Sequence, residues 1–284
     1  MRVAFARRAA AVLLAWAALG VPVGAQQASD EEVPFITTPD RVTLAMLQLA
    51  GVGPADVLID LGSGDGRIVI TAARRFGARG LGVELVPDLV ARSQASAAQA
   101  GVADRARFKV QDLFDTDLAG ASVITLYLLP EVNLKLRPRL LALPAGTRIV
   151  SHDWDMGDWL PDRTLTLDVP EKAIGREKLS RLHLWRVPAR LQGRWCVPGG
   201  ATLELQQRYQ AVQATLQGAG QRLALIGRVD GPQLRLLAGG DGAHAWLATA
   251  TADGRLQVHL APPGALLQAG QLLQPAVGDT CPAV

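Results

Sequence analysis

The stretch VLIDLGSGDGRIVI, residues 57–70, limits the fold more than any other part of this chain. An apolar run ends in Asp60 and is followed by Gly62, Gly64 and Gly66 before a second apolar run opens. A short apolar run bounded by glycines reads as a buried strand, and the residues beyond, Arg67 to Phe76, carry helical spacing. A glycine-rich turn between a first strand and a helix lets backbone N–H groups approach a ligand at the helix N-terminus. A tight structural corner would use the same glycines, so the surrounding residues have to separate the two readings.

The organisation on either side favours a ligand. From Asp56 to Val150, VLIDL, GLGVEL, ARFKV, SVITLYL and TRIVS read as five strands. Between them Arg67–Phe76, Pro87–Ala100 and Pro130–Leu140 read as helices, which makes βαβ units and a parallel sheet. Pro87 suits a first helical position and Gly101 a C-terminal cap. Upstream, Thr38-Pro39-Asp40 is expected to cap a helix that Gly51 ends. RTLTLDV and RLHLWRV follow without a long helix between them and suit an antiparallel pair. After Val187 the pattern turns all-β, with apolar and polar residues alternating between Gly, Pro and Asp-Gly turns, as in a small meander, sandwich or partly closed barrel. LQGRW there resembles, faintly, the Gly-x-Trp strand of lipocalin-type barrels.

Three carboxylates stand at successive strand ends. Asp60 closes the first strand, Glu84 the second, where it can accept hydrogen bonds from ribose hydroxyls, and Asp112 follows the third, where it can hold an adenine amino group. Each alone reads as a loop acid or cap. Together they suit a nucleoside with a cationic tail.

On these residues the chain resembles the seven-strand, class I S-adenosylmethionine (SAM) methyltransferases. DLGSGDG matches their first motif, GVELVPD the ribose-binding motif and VQDLF, with Asp112 and Leu113, the adenine motif. The resemblance implies an α/β, Rossmann-like doubly wound seven-stranded sheet over residues 35–188 and SAM as co-substrate; the alternating pattern beyond it makes residues 190–284 a small all-β domain. A nicotinamide-binding Rossmann domain is the rival, disfavoured because its Gly-x-Gly-x-x-Gly spacing differs from Gly62-Ser-Gly64-Asp-Gly66. PFITTPD, TLYLLPEVN and SHDWDMGDW resemble, more narrowly, the lysine methyltransferases of mitochondrial ATP synthase and the adenine nucleotide translocase, with their bacterial relatives. By that likeness Thr38 folds over the cofactor, while Tyr127, Pro130 and Asn133 line the methyl-transfer site. The implied acceptor is a protein lysine, with a small molecule as the alternative.

Methyl transfer from a sulfonium is an in-line displacement, so the protein mainly aligns donor and acceptor and excludes water. A lysine must lose its proton to attack, which calls for an apolar cleft such as TLYLLP can supply. Tyr127 serves there as an aromatic wall, or simply packs on the sheet. His152, Asp153, Asp155 and Asp158 have the chemistry of metal ligands, but no second His or Cys group completes a set, so no metal is expected. Their segment reads as a loop at the pocket mouth or as a substrate contact.

Composition narrows the class further. The 284 residues, 49% hydrophobic and 19% charged, suit two modest globular domains. A net charge of +3 without a Lys/Arg block argues against a nucleic-acid partner. Arg2, Arg7 and Arg8, then an uncharged run to Gly20 and Val23-Gly24-Ala25, form the layout of a secretory signal peptide over residues 1–25, hence a periplasmic or exported protein. Left uncleaved, the same segment would anchor the chain to a membrane. Cys196 and Cys281, near the two ends of the β domain, suit a bridge in an oxidising compartment, or two buried thiols. The rival to an enzyme is an exported binding protein that has kept the methyltransferase fold, a reading the intact acids at 60, 84 and 112 oppose.

Overall fold

The computed structural model describes residues 37–173, 177–239, 244–278 and 280–281. The signal-like segment at 1–25 lies outside them. Residues 35–284 form one compact unit containing a layered sheet and a barrel.

The sheet takes its order from the alternation expected of βαβ units. Helix α1 (Asp40–Leu49) precedes β1 (Val57–Leu61), α2 (Arg67–Phe76), β2 (Arg79–Glu84), α3 (Pro87–Gln99), β3 (Ala106–Val110), β4 (Val123–Leu126), α4 (Pro130–Leu140) and β5 (Arg148–His152). The hairpin β6 (Arg163–Asp168) and β7 (Leu179–Arg186) completes a seven-stranded sheet of order β3-β2-β1-β4-β5-β7-β6. The first five strands run parallel, and β7 lies antiparallel to both β5 and β6. The order reverses between β1 and β4, the crevice where ligands of open α/β sheets bind.

Two apolar layers cover the sheet, as burial of both faces demands. Val42, Met46 and Leu47 of α1 join Ile68 and Val69 of α2 and Val90 and Ala97 of α3 in one. Leu136 and Leu140 of α4 pack with Met156, Trp159 and Trp185 in the other.

Two local expectations need correction. Neither Thr38 nor Asp40 caps α1 with its side chain; Pro39 holds the cap position, and its carbonyl accepts from the N–H groups of Val42 and Thr43, both at 2.9 Å. Strand β4 ends at Leu126, which leaves Tyr127 in the loop at the carboxyl edge.

The β region is the expected small all-β domain and, of the architectures expected for it, takes the barrel, with eight strands and full rather than partial closure. Its strands are β8 (Gly193–Cys196), β9 (Thr202–Arg208), β10 (Ala211–Gly218), β11 (Gln221–Asp230), β12 (Gln233–Ala238), β13 (His244–Ala250), β14 (Leu256–Leu260) and β15 (Leu272–Pro275). The apparently continuous run ATLELQQRYQAVQATLQ is two strands, because Tyr209 turns with φ 53°. Short β15 pairs with both β14 and β8 and closes the ring, a role that LLQP does not advertise. Closure removes every open edge, and Leu203, Leu205, Leu216, Leu234, Trp195 and Trp246 fill the interior. Cys196 and Cys281 are bonded, tying β8 to the last described residue.

Two aspartates join barrel to sheet. Asp158 accepts from Arg137 of α4, from Arg208 at 2.8 Å and from Tyr209 Oη at 3.1 Å. Asp162 accepts from the Arg186 N–H at 2.6 Å, from Gln210 at 3.2 Å and from Arg228. Trp159 lies between them, its ring centroid 6.0 Å from that of Trp185 in the sheet and 6.1 Å from that of Tyr209 in the barrel. Among the described residues no helix is long and apolar enough to cross a membrane.

The disulfide spans 85 residues of sequence, for which loop closure in the unfolded chain gives an upper limit of about 4.5 kcal/mol. The double variant Cys196→Ser/Cys281→Ser should therefore unfold at lower urea concentration than the oxidised protein, with a steeper slope because the uncrosslinked unfolded chain exposes more surface. Coincident urea curves would show that the bridge adds nothing.

Candidate active site

One half of the candidate site forms where the chain leaves β1. Register places Asp60 opposite Gly82 of β2 and Thr125 of β4. Its carboxyl group is buried, and Oδ1 accepts from Thr125 Oγ1 at 2.7 Å. Burial pushes its pKa up to about 7; the Thr125 hydrogen bond opposes the shift, while the charges of Glu84 and Asp65 add to it. A buried carboxyl group so poised favours a cation as its next neighbour.

The turn that follows needs glycine for two reasons. Gly62, Gly64 and Gly66 have φ of 75°, 53° and 78°, which L side chains seldom adopt. A Cβ on Gly66 would also stand 2.7 Å from the Phe108 ring and 2.8 Å from Ser93 Cβ, so α2 could not seat against α3 and β3. A Cβ on Gly62 would press on Leu128 at 2.8 Å. Ser63 Oγ is buried with no hydrogen-bond partner among the described residues.

Glu84 organises the turn as well as flanking it. Oε2 accepts from the Gly64 N–H at 3.0 Å, and Oε1 from the N–H groups of Leu85 at 2.8 Å and Val86 at 3.1 Å. A carboxylate has roughly four lone-pair sites, so one remains for a ligand hydroxyl. Asp112 opens the 3-10 turn Leu113–Asp115 by accepting from the Phe114 N–H at 2.7 Å. Leu113 beside it is half-buried against the α4 layer. Thr38 is buried, and its carbonyl accepts from Arg67 at 2.7 Å; the same guanidinium pairs with Asp65. Arg67 thus ties the start of α1 to the glycine turn.

The other half of the candidate site lies across the reversal, at the ends of β4 and β5. Tyr127 stacks on His152 with ring centroids 4.0 Å apart and 29° between planes. His152 is buried and shares a 2.8 Å hydrogen bond between Nε2 and Ser180 Oγ. Burial pushes the imidazole pKa down, with Asp153 opposing, and pushes the Tyr127 hydroxyl up to about 12, with the Asp153 charge adding to the effect. Both rings are therefore uncharged near neutrality. Pro130 opens α4 at the rim. Asn133 is fully buried and gives its amide to Ser151 Oγ at 3.2 Å and to the carbonyls of Trp154 at 3.3 Å and Asp155 at 3.4 Å, which braces the segment after β5.

The four polar residues of SHDWDMGDW go separate ways. His152 faces inward, Asp153 pairs with Lys172 at 2.6 Å, Asp155 bonds the Gly157 N–H at 2.9 Å, and Asp158 turns to the barrel. Among the described residues no three His, Cys, Asp or Glu side chains converge as a metal group would need.

Known proteins share this arrangement. Residues 60–163 match the model of the ANTKMT methyltransferase domain. A protein-lysine N-methyltransferase of Saccharolobus islandicus (strain REY15A) is 38% identical over 138 residues, 48% of this chain and 86% of that protein. The chain belongs to the SAM-dependent protein-lysine methyltransferase family. A mouse lysine N-methyltransferase named for ATP synthase is 39% identical over 108 residues; the match takes in 38% of this chain and only 43% of that relative. The crystal structure of an RNA methyltransferase from Salinibacter ruber with S-adenosyl-L-homocysteine is 50% identical, with a TM-score of 0.51, over 55% of this chain and 96% of that one.

This family member is accordingly a SAM-dependent methyltransferase, and its donor half suits SAM on its own geometry. Among the described residues no cationic side chain pairs with Asp60, Glu84 keeps an acceptor site and the glycine turn keeps side chains away. SAM supplies a methyl group on a sulfonium. Sequence reasoning missed Thr125, Arg67 and Lys172. Thr125 could have been found only from the β1–β4 pairing, and the other two join segments distant in sequence.

Asp60 also sets a pH dependence. Its folded pKa, about 7, lies above the unfolded 3.8, so the native state holds the extra proton and stability falls as pH rises between those values. Asp60→Asn keeps the acceptor for Thr125 and lacks the charge. Relative to wild type it should gain stability from pH 4 to 7, by at most about 4 kcal/mol, and level off above. Urea unfolding at pH 5 and pH 8 measures this; an equal difference at both would contradict it.

Proposed function

We propose that this protein transfers a methyl group from SAM to the side-chain amine of a protein lysine. The observation that carries the reading is the uncharged stack of Tyr127 on His152 at the ends of β4 and β5, across the strand-order reversal from Asp60, Glu84 and Asp112, in a chain whose relatives are named for lysine methylation. Glu84 holds the ribose, Asp112 and Leu113 the adenine, Asp60 the cationic amino-acid end, and the turn of Gly62, Gly64 and Gly66 passes beneath. Thr38 closes over the donor. Tyr127 and Pro130 shape the channel for the amine, and Asn133 fixes the loop that borders it.

The chemistry asks for little else. The amine lone pair forms a bond to the methyl carbon as the carbon–sulfur bond breaks and its electrons pass to sulfur. The amine must be neutral at that moment, and an apolar wall disfavours its charged form. Alignment and exclusion of water account for the remainder.

Two other acceptors come from specific observations. The Salinibacter relative is named for RNA, and a small molecule would use the same donor half. Against RNA, the chain carries a net charge of only +3 with no basic block. Export to the periplasm is part of the proposal. The signal-like N-terminal sequence and the Cys196–Cys281 bond support it, since such bonds persist in oxidising compartments.

Incubation of cell-envelope and cytosolic extracts with methyl-labelled SAM should place label in protein, as methyllysine by mass spectrometry. Label confined to RNA or to small molecules would overturn the lysine reading. Tyr127→Phe should lower kcat while leaving the SAM Kd unchanged, because the ring and its stack remain. Glu84→Gln should weaken SAM binding by roughly 1.5 to 3 kcal/mol, the range for a charge-assisted hydrogen bond, and calorimetry reads this directly.

A further inference from the structure

Asp153 is an unusual residue to find at the end of β5. It follows His152 with φ 64°, one of three non-glycine residues among those described with positive φ. Strained backbone of this kind persists where the surroundings hold it and is common in binding sites. Two backbone hydrogen bonds to β7 hold it here: its N–H donates to the Arg181 carbonyl at 2.6 Å, and Oδ1 accepts from the Arg181 N–H at 3.0 Å. Oδ2 is left pointing elsewhere, 3.5 Å from His152 Nε2, close enough for its charge to act on the Tyr127 hydroxyl.

That oxygen holds a primary amine. Lys172 Nζ sits 2.6 Å from Asp153 Oδ2 and also donates to the Leu179 carbonyl. The two side chains are only 12% and 17% exposed, so the pair carries a desolvation cost that a surface salt bridge avoids. Lys172 comes from the connection between β6 and β7, at the carboxyl edge of the sheet. Arg41 fixes that connection against α1, donating to the Asp168 carbonyl at 2.8 Å and pairing with Glu171 at 3.3 Å. The start of α1 is tied in turn to the glycine turn through Arg67. Lys172 therefore reaches the acceptor half of the same cleft.

We propose that Asp153 is the seat for the acceptor ammonium, and that Lys172 occupies it until a substrate lysine takes its place. The idea rests on the lysine reading above and assigns that reading a residue. A carboxylate in this position favours a cation beside it, because an unpaired charge with little exposure is costly. Exchange of one ammonium for another keeps the charge balance while the substrate enters. The seat discriminates as well as binds: an amine on a flexible four-carbon stem fits beside the Tyr127–His152 wall, whereas a carboxylate or phosphate would meet Asp153 with like charge. Asp153 selects and positions the acceptor as its ammonium; the ammonium then gives one proton to solvent and leaves the carboxylate as the neutral amine, whose lone pair attacks the methyl carbon as already described.

Four purified proteins test this: wild type, Lys172→Met, Asp153→Asn and Lys172→Met/Asp153→Asn, with n-butylammonium, a lysine side chain without its backbone, as the probe. Asparagine suits φ 64° better than other non-glycine residues and can still accept from the Arg181 N–H, so the fold is retained. Lys172→Met should bind n-butylammonium at least about tenfold more tightly than wild type by calorimetry, and adding Asp153→Asn should abolish the gain. In methyl transfer to lysine, Asp153→Asn alone should raise KM about tenfold or more with the SAM Kd unchanged. Equal n-butylammonium affinity in wild type and Lys172→Met, with both variants merely melting earlier, would reduce the pair to a structural ion pair and overturn the proposal. If wild type methylates lysine while Asp153→Asn keeps the wild-type KM, the seat fails and the lysine reading stands. If no lysine is methylated but the affinity pattern holds, the seat stands and the lysine reading fails.

Discussion

A buried carboxyl group with one hydroxyl for company is the constraint on which the half of the site around Asp60 depends. Asp60 is placed by β1, walled by β2 and β4, and met by Thr125 only because the strand order reverses at that point. Shifting either neighbour by one residue would turn its side chain to the opposite face, since successive strand residues alternate. The parallel register, the glycine turn and the bonds made by Glu84 to that turn all converge on one ligand-facing corner. An ion there is expensive on its own and useful once a cation arrives, which is the usual reason a fold keeps such a group.

The acceptor half is built by a different logic. Its segment after β5 is anchored by buried Met156 and Trp159 and held by polar clamps: Asn133 from α4 reaches the carbonyls of Trp154 and Asp155, Arg181 brackets Asp153, and Asp158 and Asp162 reach the barrel. The barrel lies outside the family match at residues 60–163, yet its Arg208, Tyr209, Gln210 and Arg228 hold the far end of this segment. Its interior is filled by its own side chains, so its bearing on the site is through contact with this loop. The half-exposed charges of Asp158 and its partners contribute little each to stability, but several at one place set the loop's path.

Much of this was legible from the residues themselves. The alternation of VLIDL, GLGVEL and ARFKV with helical spacing is a local pattern, and α2 and α4 begin and end where that pattern places them. The three strand-end acids follow from the same periodicity. Tyr127 was visible as a ring beside the reversal, although the strand stops one residue sooner. The barrel was legible only as alternating strands: nothing local in LLQP says that it closes a ring, because closure is a property of all eight strands and their stagger together.

Sequence by itself determined most elements of the sheet, the direction of its parallel strands and the placing of three acids at their ends, since each is written in spacings of two to four residues or in a motif of seven. Only the tertiary structure decided what each polar group meets. Thr125 lies 65 residues from Asp60, Ser180 28 from His152 and Arg67 29 from Thr38. Asp153 and Lys172 likewise meet only because β7 returns antiparallel beside β5. Such pairs depend on register and crossover, which no short stretch encodes, and their strength depends on burial, which exists only once the layers have closed.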